Sequence, residues 1–339
     1  MKMPKALALP IIGLAAIYLA VLTPGFLTPY DPTSQNRDAP SRPPTPIHWV
    51  TPNGALHWVP FVYELSAHTN DSLNEEGLQR TYPVQFLLRG APYKILGVFS
   101  SDRHLFGVSA PARINLMGTD SYGRDVFSRL IYGGQLSLFT GLFATALTLA
   151  LGVLLGMLAG FYGSWTDAVI MRAVELFLAL PWLYLLLALR ALLPLHSDPR
   201  TTFLLLIGVI GLIGWARPAR IVRGVVLSAK ERTYVLAARS FGASDLYLLR
   251  RHLLPETRSV VLTQAALLIP QYVLAEVTLS FLGLGVGEPV PSWGNMLAEL
   301  QQYHVLVSDW WMFFPGVVLS LVFLCFGLLS NALQKGVAK

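Results

Sequence analysis

The side chains in this chain that could do chemistry are few, and their spacing limits what that chemistry can be. Glu276 stands inside an apolar run from Val260 to Leu282, and Glu175 inside another from about Val169 to Leu193. A carboxylate at membrane depth must face protein or water, because exposure to lipid is costly. Glu276 therefore either lines or gates a polar pathway, or anchors neighbouring helices through hydrogen bonds, and its spacing alone leaves both readings open. His48, Trp49, His57 and Trp58 lie close together, but they match no recognised metal-ligand spacing and read as an aromatic patch. The only cysteine, Cys325, is in an apolar run, so no intrachain disulfide can form. The Gly-rich segment GTDSYGRD is not followed by Gly-Lys-Ser/Thr, and no phosphate-binding loop of that type occurs anywhere. No paired carboxylates or nucleophile constellation stand out, so the expectation is no catalytic residue, no metal site and no cofactor on this chain.

The elements that must position these residues follow from composition. The chain has 339 residues, of which 54% are hydrophobic and only 13% charged, with a mean hydropathy of +0.53. That is too apolar for an ordinary soluble protein and indicates an integral membrane protein. Its pI near 9.5 does not imply nucleic acid, because the basic residues cluster between apolar runs, as the positive-inside rule requires. Six runs are long enough to consider as spans: about Ala6–Leu27, Leu136–Phe161, Val169–Leu193, Thr202–Trp215 extended through Val226, Val260–Leu282 and Phe313–Leu333. The first reads as an uncleaved span, since it continues through Phe26 and Leu27 without a clear small-x-small site. In the second, Gly152, Gly156 and Gly160 recur every four residues, a strip that lets another helix backbone approach closely. Glu175 and Pro181 interrupt the third.

Between the first two runs lies a polar segment with nine basic and nine acidic side chains over residues 30–134. Thr81–Leu88 and Tyr93–Phe99 have β-type composition, and Gly90 and Pro92 between them suggest a hairpin turn. Further on, Asp120 is a candidate cap for a helix with Val126, Phe127, Leu130 and Ile131 on one face and an Asp125/Arg129 pair on another. After the fifth run, glycines and prolines break regular structure before Trp293, and the pair Trp310 and Trp311 suits a membrane interface.

The stretch YVLAARSFGASDLYLLRRHLLP, Tyr234 to Pro255, reads as two short helices and a turn. Ala237 and Ala238 leave a bare face, Gly242 can take the left-handed conformation that ends a helix, Ser244 or Asp245 can cap the next, and Pro255 should break it. This spacing resembles the cytoplasmic coupling loop of binding-protein-dependent ABC importer permeases, whose pattern is Glu-Ala-Ala, three residues, Gly, then Leu-Pro. Leu236 stands where the pattern has Glu. GTDSYGRDVFSRLIYGG and LSFLGLGVGEPVPSWGNML are similar to the dipeptide, oligopeptide and nickel branch of that family.

The resemblance implies an all-α polytopic membrane protein with six transmembrane helices, a type I importer permease, carrying a small extracytoplasmic subdomain with some β structure. The expected division is an N-terminal span (1–29), an extracytoplasmic insertion (30–117) and a permease core (118–339) with a coupling loop at 216–258. It further implies that Ala237, Ala238, Gly242, Asp245, Leu254 and Pro255 engage an ATPase. Expected partners are a second permease, two ATP-binding subunits, an extracytoplasmic substrate-binding protein and the lipid bilayer. The cargo would be small peptides or nickel. Charge supports the orientation: residues 216–258 hold nine basic and three acidic side chains, whereas 286–309 hold three acidic and no basic ones. The former loop should be cytoplasmic, with both termini on the same side. An ion-coupled secondary transporter would usually show inverted repeats and more intramembrane ionisable residues. A mere membrane anchor would leave the coupling stretch unexplained.

Overall fold

Long apolar runs with few charges form helices because a bilayer offers the backbone no hydrogen-bond partners. The computed structural model describes residues 5–51, 54–63, 81–95, 99–194 and 197–337. Helix α1 (Lys5–Leu22) is followed by a short α2 (Pro24–Leu27). Five strands come next: β1 (His48–Val50), β2 (Leu56–Tyr63), β3 (Thr81–Pro83), β4 (Gln85–Ile95) and β5 (Phe99–Gly107). Then follow α3 (Val126–Tyr162), α4 (Ser164–Ala179), α5 (Trp182–Leu192), α6 (Pro199–Gly214) and α7 (Ala216–Ala229). The short helices α8 (Thr233–Ser240), α9 (Asp245–Leu248) and α10 (Leu254–Glu256) precede the long α11 (Arg258–Phe281). The chain closes with α12 (Trp293–Ala298), α13 (Tyr303–Ser308) and α14 (Phe314–Val337).

Among the described residues three helical stretches are long and apolar enough to cross a membrane: Val126–Tyr162, Arg258–Phe281 and Trp310–Gln334. Two bent pairs raise the number to as many as five: α4 with α5, at 91°, and α6 with α7, at 45°. The first bend falls at Leu180–Pro181, where Pro181 precedes α5 with an extended backbone. Helix α3, with 37 residues, is roughly 55 Å long. That exceeds a ~30 Å hydrocarbon core, so part of it must lie outside the membrane.

Two compact units make up the chain. The first comprises Met1–Leu14, Ser137–Gly287 and Ser320–Lys339. In it the glycine strip of α3 faces α7. A Cβ on Gly152 would come within 2.7 Å of Pro218, on Gly156 within 2.5 Å of the Ala219 carbonyl, and on Gly160 within 2.9 Å of Val226. Helix α11 leans on the same framework through Tyr272, whose hydroxyl meets Thr148 Oγ1 at 3.1 Å, while Thr148 donates to the Gly211 carbonyl at 2.9 Å.

The second unit comprises Ala15–Leu136 and Glu288–Leu319. It holds a three-stranded antiparallel sheet, β1-β2-β3, and the two-stranded β4-β5. Val62, Val84, Val108, Ala112 and Ile114 form its buried cluster. The hairpin is not where the sequence puts it. Gly90 and Pro92 do not make a turn: β4 runs straight through them, and the only trace is a register shift against β5 between Arg89 and Tyr93. Proline lacks a ladder N–H and a shift of register removes the need for one. Residues 81–83 belong to the other sheet, paired with β2.

The start of α3 needs a second correction. Asp120 does not cap it. Asp125 does, with Oδ2 accepting from Ser128 N–H at 2.8 Å and from Ser128 Oγ–H at 2.6 Å. Asp125 is therefore committed to the cap, and Arg129 pairs elsewhere. Trp311 is not an interface residue either: it is 4% exposed and its indole N–H donates to the Thr119 carbonyl at 3.0 Å. Trp310 is 60% exposed.

Candidate functional site

The coupling stretch is built on a buried root. Val235 of α8, Leu248 of α9 and Leu253 pack with Met157 of α3 and Val222, Val226 and Ala229 of α7 in one apolar cluster. Helix α8 ends in a left-handed turn at Gly242, whose φ is +82°. The Ala243 N–H reaches the Ala238 carbonyl at 3.1 Å and the Gly242 N–H reaches the Arg239 carbonyl at 3.0 Å. These two bonds are the paired helix-stop pattern that favours glycine. Ser244, rather than Asp245, caps α9 by accepting from the Tyr247 N–H at 3.4 Å.

Pro255 does not break the second helix. A π turn, Leu249–Leu253, carries the chain from α9 into α10, with the Leu254 N–H bonding back to the Leu249 carbonyl. Such a turn widens the helix and moves the carbonyls that a proline ring would otherwise strike. Pro255 then occupies the opening turn of α10, where its missing N–H costs little.

The residues singled out from the sequence divide into two groups. Ala237, Gly242, Asp245 and Leu254 are exposed. Ala238 packs partly against the buried root, and Pro255 is half-buried. The largest outward groups are ones the motif does not contain: Phe241 at 92% exposure, with Leu246, Tyr247 and Leu236 beside it in sequence. Tyr234 Oη donates to Glu256 Oε1 at 2.8 Å, and Arg232 pairs with Glu256 Oε2 at 3.0 Å, closing the base of the stretch. The Arg223 guanidinium of α7 binds the Asp167 carboxylate of α4. Lys230 donates to the Gly160 carbonyl at 3.0 Å, at the end of the glycine strip.

Glu276 is fully buried in α11 and accepts from Ser280 Oγ at 2.6 Å. It lies one turn beyond Tyr272 on the same helix face. Glu175 is exposed and pairs with Arg172 at 2.9 Å. His48 stacks near Phe61 and Tyr63, whereas Trp58 is 93% exposed. No cluster that could hold a metal occurs among the described residues.

In the second unit the structure joins two sequence motifs that lie far apart in the chain. Asp120 Oδ1 accepts from the Tyr122 and Arg124 backbone N–H groups, each at 2.9 Å, which tightens the loop after Gly118. Its Oδ2 pairs with Arg124 Nε at 2.6 Å and lies 3.4 Å from Arg129 Nε. Glu288 closes the other side, 2.5 Å from Arg124 Nη1 and 2.8 Å from Arg129 Nη2. Glu299 stands 3.5 Å from Arg124 Nη2 and accepts from Ser121 Oγ at 2.9 Å. The Trp293 indole N–H donates to the Leu130 carbonyl at 2.9 Å. Burial pushes the Asp125 carboxyl up to about 6, with Ser128 and Arg113 opposing. Burial and the nearby Asp120 also raise Glu299. Arg124 loses by burial but is held above its ordinary value by Asp120 and Glu288.

Comparison with known proteins identifies the family. Residues 152–339 match the family described as binding-protein-dependent transport system inner membrane component. The dipeptide transport system permease protein DppC of Bacillus subtilis (strain 168) is 38% identical over 225 residues, 66% of this chain and 68% of that protein. The glutathione transport system permease protein GsiD of Pectobacterium atrosepticum is 34% identical over 251 residues, 74% of this chain and 79% of that protein. The oligopeptide permease protein OppC of Bacillus subtilis (strain 168) is 34% identical over 240 residues, 70% of this chain and 75% of that protein. These matches favour an importer permease over an ion-coupled transporter. The chain belongs to the binding-protein-dependent transport system inner membrane component family and is a membrane-integral permease subunit of an ABC importer.

Proposed function

We propose that this permease passes small peptides, and that the segment from Thr233 to Glu256 is the knob through which an ATPase subunit drives it. The observation that carries the reading is the combination of a buried root and a bare, apolar tip. Val235, Leu248 and Leu253 fix the segment to α3 and α7, while Phe241, Leu246 and Tyr247 project outward among Arg239, Arg250 and Arg251. A rigidly rooted knob transmits a push; a floppy loop would absorb it. Relatives whose names specify dipeptide, oligopeptide and glutathione transport support a peptide cargo.

In this reading the chain pairs with a second permease and two ATP-binding subunits, and receives cargo from an extracytoplasmic binding protein. Six spans, counting α1 and both bent pairs, put the two termini and residues 216–258 in the cytoplasm. Residues 30–117 then lie outside, as an insertion ahead of the permease core (118–339). Glu276 serves as the buried polar element of the pathway. The glycine strip Gly152, Gly156 and Gly160 is the bearing on which α7, and with it the knob, is seated.

Co-purification with the ATPases is the test. Phe241→Ala and Gly242→Val should insert normally and lose ATPase association or uncouple hydrolysis from transport. Full ATPase binding and substrate-stimulated transport in both variants would remove the coupling assignment.

A further inference from the structure

The ionic cluster of the second unit is not explained by docking to an ATPase, and its geometry is that of an occupied carboxylate site. Arg124 and Arg129 both grip the Glu288 carboxylate: Oε2 is nearest Arg124 Nη1 and Oε1 nearest Arg129 Nη2, and each guanidinium also reaches the other oxygen at 3.4 Å. Two guanidiniums bridging one carboxylate make a strong and directional anion site. Asp120 grips both arginines from behind, so the fork keeps its shape when its front partner changes.

Accessibility distinguishes Glu288 from every other member. Its side chain is 42% exposed, against 2% for Arg124, 0% for Arg129 and 1% for Asp120. Glu288 is thus the most exposed carboxylate on the fork. Its backbone setting differs as well. Asp120 is fixed in a tight turn by two N–H groups, and Glu299 sits in a helical turn. Glu288 lies outside any helix, between Gly287 and Pro289, so it can withdraw without unwinding an element. The Tyr122 ring, 57% exposed, stacks on Arg124 at 4.6 Å and offers an aromatic face beside the fork.

We propose that Arg124 and Arg129 form a carboxylate-binding site that Glu288 fills in the resting permease, and that the C-terminal carboxylate of a peptide displaces Glu288 there. The peptide identity rests on the function proposed above; the carboxylate chemistry does not. Exchanging one carboxylate for another leaves the charge held between the two guanidiniums unchanged.

The experiment titrates dialanine and dialanine amide into the full chain in nanodiscs, without ATPases. It compares the parent with Glu288→Ala. Removing the internal competitor should tighten dialanine binding about ten-fold or more, since occupancy by Glu288 lowers the apparent affinity by the free fraction of sites. Dialanine amide should not bind, and adding Arg129→Met to Glu288→Ala should abolish the gain. If Glu288→Ala does not fold, Glu288→Gln keeps the shape without the charge and should show the same gain in smaller measure. Equal binding of the amide, or no gain in a folded Glu288 variant, overturns the site. A third titrant, a substrate-binding protein without cargo, separates the sources: a gain for it and not for dialanine assigns the carboxylate to that protein and overturns the peptide. The readout needs neither ATP hydrolysis nor transport, so failure of the coupling assignment leaves it intact.

Discussion

Arg129 and Glu288 are 159 positions apart in the chain, yet the guanidinium donates to the carboxylate at 2.8 Å. Arg129 is fully buried, and Asp120 stands behind it. Removing one member of a buried pair leaves an uncompensated charge, typically at a cost of about 3–5 kcal/mol. Arg129→Leu should therefore lower stability strongly. Because Glu288 is partly exposed, a double-mutant cycle of Arg129→Leu with Glu288→Gln should give a smaller coupling of about 1–2 kcal/mol. Chemical denaturation in detergent measures both. A coupling near zero would show that the pair is not a unit.

Gly156 and Gly224 offer a controlled comparison on packed helices. A Cβ on Gly156 would stand 2.5 Å from the Ala219 carbonyl, whereas one on Gly224 meets nothing within 4 Å. Gly156→Ala should cost about 1–3 kcal/mol through overpacking. Gly224→Ala should be neutral or stabilise by about 0.5–1 kcal/mol through helix propensity. Thermal unfolding of the two variants reads the difference, and equal midpoints would contradict the seating of α7 on the strip.

Gly242 has a φ of +82° with open space around it, so strain rather than collision governs its replacements. Gly242→Val should cost on the order of 1–3 kcal/mol, while Gly242→Asn should be much milder, because asparagine tolerates the left-handed region. Phe241→Ala removes an exposed ring and should leave unfolding within about 0.5 kcal/mol of the parent, yet diminish ATPase co-purification. A stability loss in Phe241→Ala comparable to that of Gly242→Val would place the ring in the fold rather than at a docking surface.

Glu276→Gln preserves an acceptor for the Ser280 hydroxyl, which lies 2.6 Å from Oε1. Assembly should survive, and transport should fall by about ten-fold, equivalent to ~1.4 kcal/mol of barrier. Reconstituted transport with matched complex yield decides. Loss of assembly identifies an anchor instead, and unchanged transport in an assembled complex removes the pathway role.

Asp125 links stability to pH. Its folded pKa is raised from 3.8 to about 6 by burial, so the folded state holds the proton more tightly than the unfolded one. Stability from this group is thus greatest at low pH and is lost as pH rises from about 4 to about 6. Two pKa units correspond to about 3 kcal/mol. Asp125→Asn keeps the acceptor for Ser128 and should remove that slope, read as the difference between parent and variant unfolding free energies from pH 4 to pH 7. Parallel curves would refute the assignment.

The sequence alone carried the membrane class, the apolar runs, the glycine strip and the helix stop at Gly242. Each is a local property: hydropathy over one span, spacing along one helix, the φ preference of one residue. It also carried the helix–turn–helix shape of Tyr234 to Pro255, because that pattern is contiguous. Local pattern failed where a partner distant in the chain decided the outcome. Asp125 and Arg129 have the spacing of a helical pair, but Ser128 claims Asp125 and Glu288 claims Arg129. Gly90 and Pro92 look like a turn, but pairing of β4 with β5 absorbs them as a register shift. Pro255 looks like a break, but the π turn before it makes room. Trp311 looks interfacial, yet the Thr119 carbonyl holds its indole. Hydropathy and backbone preference are written residue by residue; which buried charge meets which is set only when the chain closes on itself, because an ionised group takes whatever partner tertiary packing brings within reach.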